Sequence, residues 1–112
     1  PVLERFGASR SGGRLRTDGV LLGADPGTPV RAVAPGEIVF ADWMRGFGLM
    51  VIVDHGGGFM SLYAQAESLL RAVGDRVEAG EPLATAGQSG GSSRAGVWFE
   101  IRRDGRPDPG PR

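Results

Sequence analysis

The chain has 112 residues, with no cysteine, no lysine and a single histidine, His55. The lack of cysteine excludes disulfide frameworks, thiolate zinc sites and cysteine nucleophiles. A catalytic zinc normally draws on several His, Cys or carboxylate ligands, so one histidine argues against such a site. Any Ser-His-Asp chemistry would have to use His55 alone.

The sequence also has little net charge and no long apolar run. The formal net charge is +0, which offers no electrostatic reason to expect nucleic acid or an anionic membrane surface as a partner. No apolar stretch is long enough to span a bilayer. The 40% apolar and 23% charged content is typical of a globular chain, and its length fits one domain.

Turn-forming residues are abundant instead. Twenty glycines and eight prolines separate short apolar runs, a pattern typical of an all-β domain with many turns. Strands are predicted at 19–22, 29–34, 37–43, 49–54, 60–65, 83–86 and 96–103. Residues 67–73 have helical character, and the first sixteen residues and the end beyond residue 105 are expected to be irregular. A small sandwich or curled antiparallel sheet is the predicted architecture.

The stretch AGVWFEIRR at 95–103 alternates with period two. Val97, Phe99 and Ile101 are expected to face a core, leaving Trp98, Glu100 and Arg102 on the other face. Tyr63 is likewise predicted opposite the core-facing residues of its strand. Two interpretations stay open here: a second layer covers these aromatic residues, or they line a groove that anchors a partner.

Three possible reactive groups have simpler interpretations. Asp54 could orient His55 as a general base, but a turn histidine hydrogen-bonded to backbone is favoured because no nucleophile is identifiable nearby. Glu100 and Asp18 have no spacing that supports an acid–base pair. A Glu100–Arg102 surface ion pair, worth little energetically, is expected instead.

Five segments together resemble one known family. They are FG at 6–7, TDGVLLGADPGTPVRAVAPGEIVFADW at 17–43, GFGLMVIVDHGGGFMSLYAQ at 46–65, VGDRVEAGEPLATAGQSGG at 73–91 and GVWFEIRR at 96–103. In order, spacing and turn glycines they are similar to the LytM/M23 family of zinc metallopeptidases. The resemblance implies a curled antiparallel sheet with a groove across one face. It also implies that residues 1–112 form a single LytM-type domain, the C-terminal part of a longer protein.

The resemblance also implies that the zinc site is degenerate. The positions of ligand and catalytic His and Asp residues in active members are occupied here by Thr17, Leu21, Gln65, Gly96 and Trp98. None of these can serve as those groups do, since leucine offers no lone pair, glycine no side chain, and an indole N–H only donates. Hydrolysis in the family requires the metal. We therefore expect no metal, no cofactor and no peptidase activity.

The substitutions are similar to those of a non-catalytic branch of the family. Its members bind zinc-dependent N-acetylmuramoyl-L-alanine amidases in the periplasm during cell division and relieve their autoinhibition. The resemblance thus implies an amidase as protein partner and a groove that holds an amphipathic helix. The implied groove residues are Asp18, Phe47, Met50, Tyr63, Gln65, Trp98, Glu100 and Arg102. Phe47 and Met50 are expected on its rim. The alternatives are a zinc endopeptidase acting on peptidoglycan cross-bridges and a peptidoglycan-binding module.

Overall fold

The computed structural model describes residues 2–4, 9–10, 15–16, 19–104 and 106–108, with side chains described for 19–104. Regular structure in these ranges is almost entirely β. The strands are β1 Val2–Glu4, β2 Ser9–Arg10, β3 Leu15–Arg16, β4 Val20–Gly23, β5 Pro29–Arg31, β6 Gly36–Met44, β7 Gly48–Gly56, β8 Phe59–Ala66, β9 Ser68–Leu69, β10 Arg76–Val77, β11 Pro82–Thr85, β12 Gly96–Arg103 and β13 Arg106–Asp108. A single 3-10 turn, Ser89–Gly91, precedes β12.

The strands form one large antiparallel sheet and two small ones. The large sheet has the order β1-β4-β12-β8-β7-β6-β10, and β13 pairs with the far end of β12. The three-stranded sheet has the order β5-β11-β9, and β2 pairs with β3. No helix in the described ranges is long and apolar enough to cross a membrane.

The main core lies between one face of the large sheet and the β5-β11-β9 sheet. Ile38, Val51 and Val53 contribute from the large sheet, and Val30 and Leu83 from the small one. Ile38, Val51, Val53 and Leu83 are fully buried. Because burying apolar area is the dominant favourable term in folding, this contact holds the two sheets together.

Strand β7 is covered on both of its faces, as its unbroken apolar run predicts. Val51 and Val53 point into the main core. Met50 points the other way, into a second cluster that we call the outer-face cluster. Its buried members are Met50, Leu62 and Ala64, and Phe40, Phe47, Ile52 and Trp98 pack against them.

Most predicted strands are confirmed, but two predictions are wrong. The segment 67–73 is not helical: Ser68–Leu69 forms β9, which pairs with Ala84 and Thr85 of β11. The Ser68 hydroxyl and amide both bond the Thr85 hydroxyl, at 2.7 and 3.1 Å. The chain ends are not wholly irregular either, because short strands β1, β2, β3 and β13 lie there.

Candidate functional site on the outer sheet face

The outer face of the large sheet brings together side chains from several strands. Trp98 of β12 lies opposite Leu21 of β4 and Ala64 of β8. Leu62 of β8 lies opposite Glu100 of β12. Directly opposite residues in a sheet share a face, so these positions and the outer-face cluster form one continuous surface.

Glu100 lies at the centre of this surface and holds two neighbours. Its Oε2 accepts a 2.6 Å hydrogen bond from the Trp98 indole Nε1–H. Its Oε1 accepts hydrogen bonds from Nε and Nη2 of Arg102, at 3.1 and 2.8 Å. Since residues two apart on a strand share a face, one carboxylate can reach both donors.

The expectation of a Glu100–Arg102 ion pair at the surface is wrong in one respect, because Glu100 is only 2% exposed. Gly19 packs so closely over it that a side chain at position 19 would collide with the Glu100 stem and the Phe99 carbonyl. A buried carboxylate needs partners for its charge, and Arg102 and Trp98 supply them. The pair is therefore a fixed feature of this face, while Arg102 keeps 28% of its side chain exposed.

Phe47 reaches the same surface from the β6–β7 hairpin tip. The 3-10 turn anchors this tip through Ser89, whose Oγ accepts from the Leu49 amide at 3.0 Å and donates to the Ala66 carbonyl at 2.6 Å. Phe47 packs against the outer-face cluster. Met50 belongs to the same cluster but is 2% exposed, so it lies beneath the surface and not on a rim as expected.

The prediction that Tyr63 lines the outer face is wrong. Tyr63 lies in the main core, with its ring centroid 5.4 Å from that of Phe99. Its hydroxyl accepts from the Val33 amide at 3.1 Å and bonds the Ser61 hydroxyl at 2.7 Å. Burial raises the pKa of Tyr63 above 10.0, and the two hydrogen bonds partly offset that effect.

Gln65 lies within a β-bulge that interrupts the β7–β8 ladder. Leu49 lies opposite Ala66 and Val51 opposite Tyr63, so β8 has one more residue than β7 between these pairs. Gln65 has a φ of 55°, and its buried amide donates to the carbonyls of Gly87 and Arg94, at 3.0 and 2.7 Å. Its Nε2 therefore ties the 87–94 loop to β8.

His55 is hydrogen-bonded to backbone, as the simpler interpretation predicts, but it lies within β7 and not in the turn that follows. Its Nδ1 is 2.7 Å from the Pro35 carbonyl, and its Nε2 is 2.6 Å from the Ser61 hydroxyl. A carbonyl only accepts, so Nδ1 carries a hydrogen, and in the neutral imidazole Nε2 then accepts from Ser61. Ser61 is 1% exposed and bonded to Tyr63 as well, so no accessible nucleophile accompanies this histidine.

The positions expected to replace zinc ligands do not fit a zinc ion. Leu21 is a hydrocarbon, the Trp98 N–H is donated to Glu100, and the Gln65 amide nitrogen is committed to two carbonyls. Gly96, with φ 155°, lies against Leu22, and a Cβ there would collide with the Leu22 carbonyl oxygen. Thr17 and Asp18 lie outside the described residues. Over the ranges the structure covers, no three His, Cys, Asp or Glu residues gather as a metal site would require.

Comparison with known sequences assigns the family, and comparison with solved structures assigns the fold. The profile of peptidase family M23 matches residues 16–109. The chain belongs to peptidase family M23. Among solved M23 structures, the lysostaphin catalytic domain from Staphylococcus simulans has a TM-score of 0.85 and 27% identity, covering 93% of this chain and 80% of that one. The all-β fold with a LytM-type sheet is thereby confirmed.

Two relatives of known name are murein hydrolase activators. The murein hydrolase activator EnvC of Escherichia coli K12 is 48% identical over 106 residues, which is 95% of this chain and 25% of the relative. The murein hydrolase activator NlpD of the same strain is 35% identical over 106 residues, 94% of this chain and 27% of the relative. The chain thus spans about a quarter of the length of these relatives.

Proposed function

We propose that this M23 domain is a non-catalytic activator of peptidoglycan N-acetylmuramoyl-L-alanine amidases. In this proposal the outer face binds an amphipathic helix of the amidase and relieves its autoinhibition. One observation carries the proposal: Trp98, which the resemblance aligns with a zinc-ligand position of the active family, is bonded to a buried Glu100 that also holds Arg102. The face is therefore organised for contact and not for metal chemistry.

The chemistry of the remaining positions supports a non-enzymatic role. Leu21 and Gly96 supply no donor atom, and a glycine at position 96 is required by the nearby Leu22 carbonyl. Peptide hydrolysis by catalytic members of the family depends on a metal that polarises the carbonyl and activates water. A zinc endopeptidase acting on cross-bridges is accordingly the weaker alternative.

The composition of the face suits a helical partner. Phe47, Ile52 and Trp98 are partly exposed apolar side chains packed on the buried cluster, and Arg102 adds an accessible cation. Aromatic residues and arginine are the residues that dominate binding energy at protein interfaces. Both relatives named above are murein hydrolase activators, so a periplasmic location and a role in cell division are part of the same proposal.

The test is activation of the amidase from the same organism, measured as dye release from labelled sacculi. We expect Trp98→Ala and Arg102→Ala each to weaken activation by at least tenfold, as truncation of an interface anchor typically does. The matched controls are Trp43→Ala and Arg76→Ala, since Trp43 is 55% exposed on the opposite sheet face and Arg76 is exposed on β10. Normal activation by both folded outer-face variants would refute the proposal.

Two further measurements separate the alternatives. Zinc retained in a 1:1 ratio after dialysis, with cleavage of sacculi by the domain alone, would favour the endopeptidase. Co-sedimentation of the domain with purified sacculi, lost in Trp98→Ala and accompanied by no amidase activation, would favour a peptidoglycan-binding module.

A further inference from the structure

The indole of Trp98 and the guanidinium of Arg102 are closer together than their positions on β12 require. The two residues are four positions apart on the strand, which places their Cα atoms about 13 Å apart. Both side chains, however, donate to the same Glu100 carboxylate, at 2.6 Å for Nε1 of Trp98 and 2.8 Å for Nη2 of Arg102. This keeps the two nitrogens within about 8 Å of each other.

Glu100 cannot itself be a contact residue for a partner. It is 2% exposed, and Gly19 packs directly against its side chain. Both of its oxygens are occupied, Oε2 by Trp98 and Oε1 by Arg102. What the outer face presents to a partner is therefore an aromatic edge and a cation at a spacing that Glu100 sets.

A separation of no more than about 8 Å is compatible with one turn of an α-helix. Side chains three or four residues apart on a helix have Cβ atoms about 5–6 Å apart and project from the same face. An apolar residue could then lie against the indole while an acidic residue one turn away pairs with the guanidinium. Arg102 remains 28% exposed and can make a further charge-assisted hydrogen bond.

We propose that Glu100 is a positioning residue that holds the side chains of Trp98 and Arg102 close together, so that a partner contacts them as one recognition element. This element fits a helical turn that carries an apolar side chain and a carboxylate three or four residues apart. The identity of the helix as an amidase segment rests on the proposed function, whereas the positioning role does not.

The positioning role is tested by NMR with Glu100→Gln. A carboxamide has one accepting oxygen and a nitrogen that only donates, so it cannot accept from Trp98 at one atom and from Arg102 at the other, as Glu100 does. Only two indole N–H signals exist, from Trp98 and from the exposed Trp43, which serves as an internal reference. We expect the signal of the Trp98 indole N–H or of the Arg102 Nε–H, whichever faces the new amide nitrogen, to shift and to exchange with water at least tenfold faster in Glu100→Gln, with Trp43 unchanged. The matched control Glu78→Gln removes one exposed carboxylate elsewhere.

Unaltered signals of both the Trp98 indole N–H and the Arg102 Nε–H in folded Glu100→Gln would overturn the positioning role. If that variant does not fold, the unmodified protein provides the test. Its Trp98 indole N–H must exchange with water more slowly than the indole N–H of Trp43. Equal exchange rates would overturn the inference. Neither outcome depends on any amidase.

The partner's chemistry is tested by double-mutant cycles on binding to the amidase from the same organism. Each Asp and Glu on the amidase helices is changed to alanine and combined with Arg102→Ala. We expect one acidic residue whose loss weakens binding about tenfold alone but adds nothing to Arg102→Ala. Full additivity for every acidic residue would overturn the acidic-partner inference while leaving activation intact. Absence of activation by the unmodified domain would instead refute the proposed function.

Discussion

Replacing Gly96 by alanine should destabilise the domain far more than replacing an ordinary turn glycine. Gly96 has a φ of 155°, where side chains are disfavoured, and an added Cβ would collide with the Leu22 carbonyl oxygen across the β4–β12 ladder. Unfavourable backbone conformation costs about 1–3 kcal/mol. Overpacking against a neighbour that cannot yield costs about 1–3 kcal/mol more. We therefore expect a loss of roughly 3 kcal/mol, a large share of the ~5–15 kcal/mol that stabilises a typical domain.

Gly80→Ala is the matched control for this substitution. Gly80 also has a positive φ, of 85°, but a Cβ there would meet nothing within 4 Å. Gly80→Ala should therefore lower the free energy of unfolding by only about 1 kcal/mol, from the unfavourable backbone conformation alone.

The assay is urea unfolding of both variants followed by tryptophan fluorescence, with the free energy of unfolding obtained by linear extrapolation. Trp98 is partly buried next to the affected ladder, so its emission reports on this region. A difference between Gly96→Ala and Gly80→Ala of less than about 0.5 kcal/mol would refute the reasoning, because the collision with the Leu22 carbonyl should by itself separate the two variants by more than that.

Two other predictions concern hydrogen bonds elsewhere in the sheet. Because burial raises the pKa of Tyr63 above 10.0 in the folded state, its contribution to stability is complete below that pH and is lost as pH rises above it. Urea unfolding from pH 8 to 12 should show this alkaline loss in the unmodified protein and a weaker loss in Tyr63→Phe; equal losses would contradict the assignment. Ser89→Ala should cost about 1–3 kcal/mol, since the Leu49 amide and the Ala66 carbonyl lose their partner, whereas the exposed Ser93→Ala should cost almost nothing. Hydrogen exchange at the Leu49 amide checks this directly, and unchanged protection would contradict it.

The strand pattern could largely be predicted from the sequence because local signals define it. Glycine and proline turns bound the runs, and β12 begins and ends at the predicted residues 96 and 103. The segment 67–73 was mispredicted because its structure depends on a distant strand. Ser68 is held by Thr85, seventeen residues away, and no local periodicity encodes that pairing.

Side-chain placement on β8 could not be predicted from alternation alone. Both faces of this strand are buried, so the alternation divides its residues into two buried sets. It does not tell which of the two sets faces the main core. Leu62 and Ala64 lie in the outer-face cluster, and Tyr63 lies in the main core. The burial of Glu100 was missed for a similar reason: it depends on Gly19, a residue of a different segment that only the folded sheet brings near.

Three positions at which the family resemblance predicts histidine in catalytic members carry structural contacts in this domain. The Gln65 amide fastens the 87–94 loop, Gly96 allows the close approach of β4, and the Trp98 N–H satisfies buried Glu100. Introducing histidines at these positions would therefore remove contacts as well as add ligands, and Leu21 would still supply no donor atom. The difference from the zinc peptidases thus extends from the side chains into the backbone and hydrogen-bond network that position them.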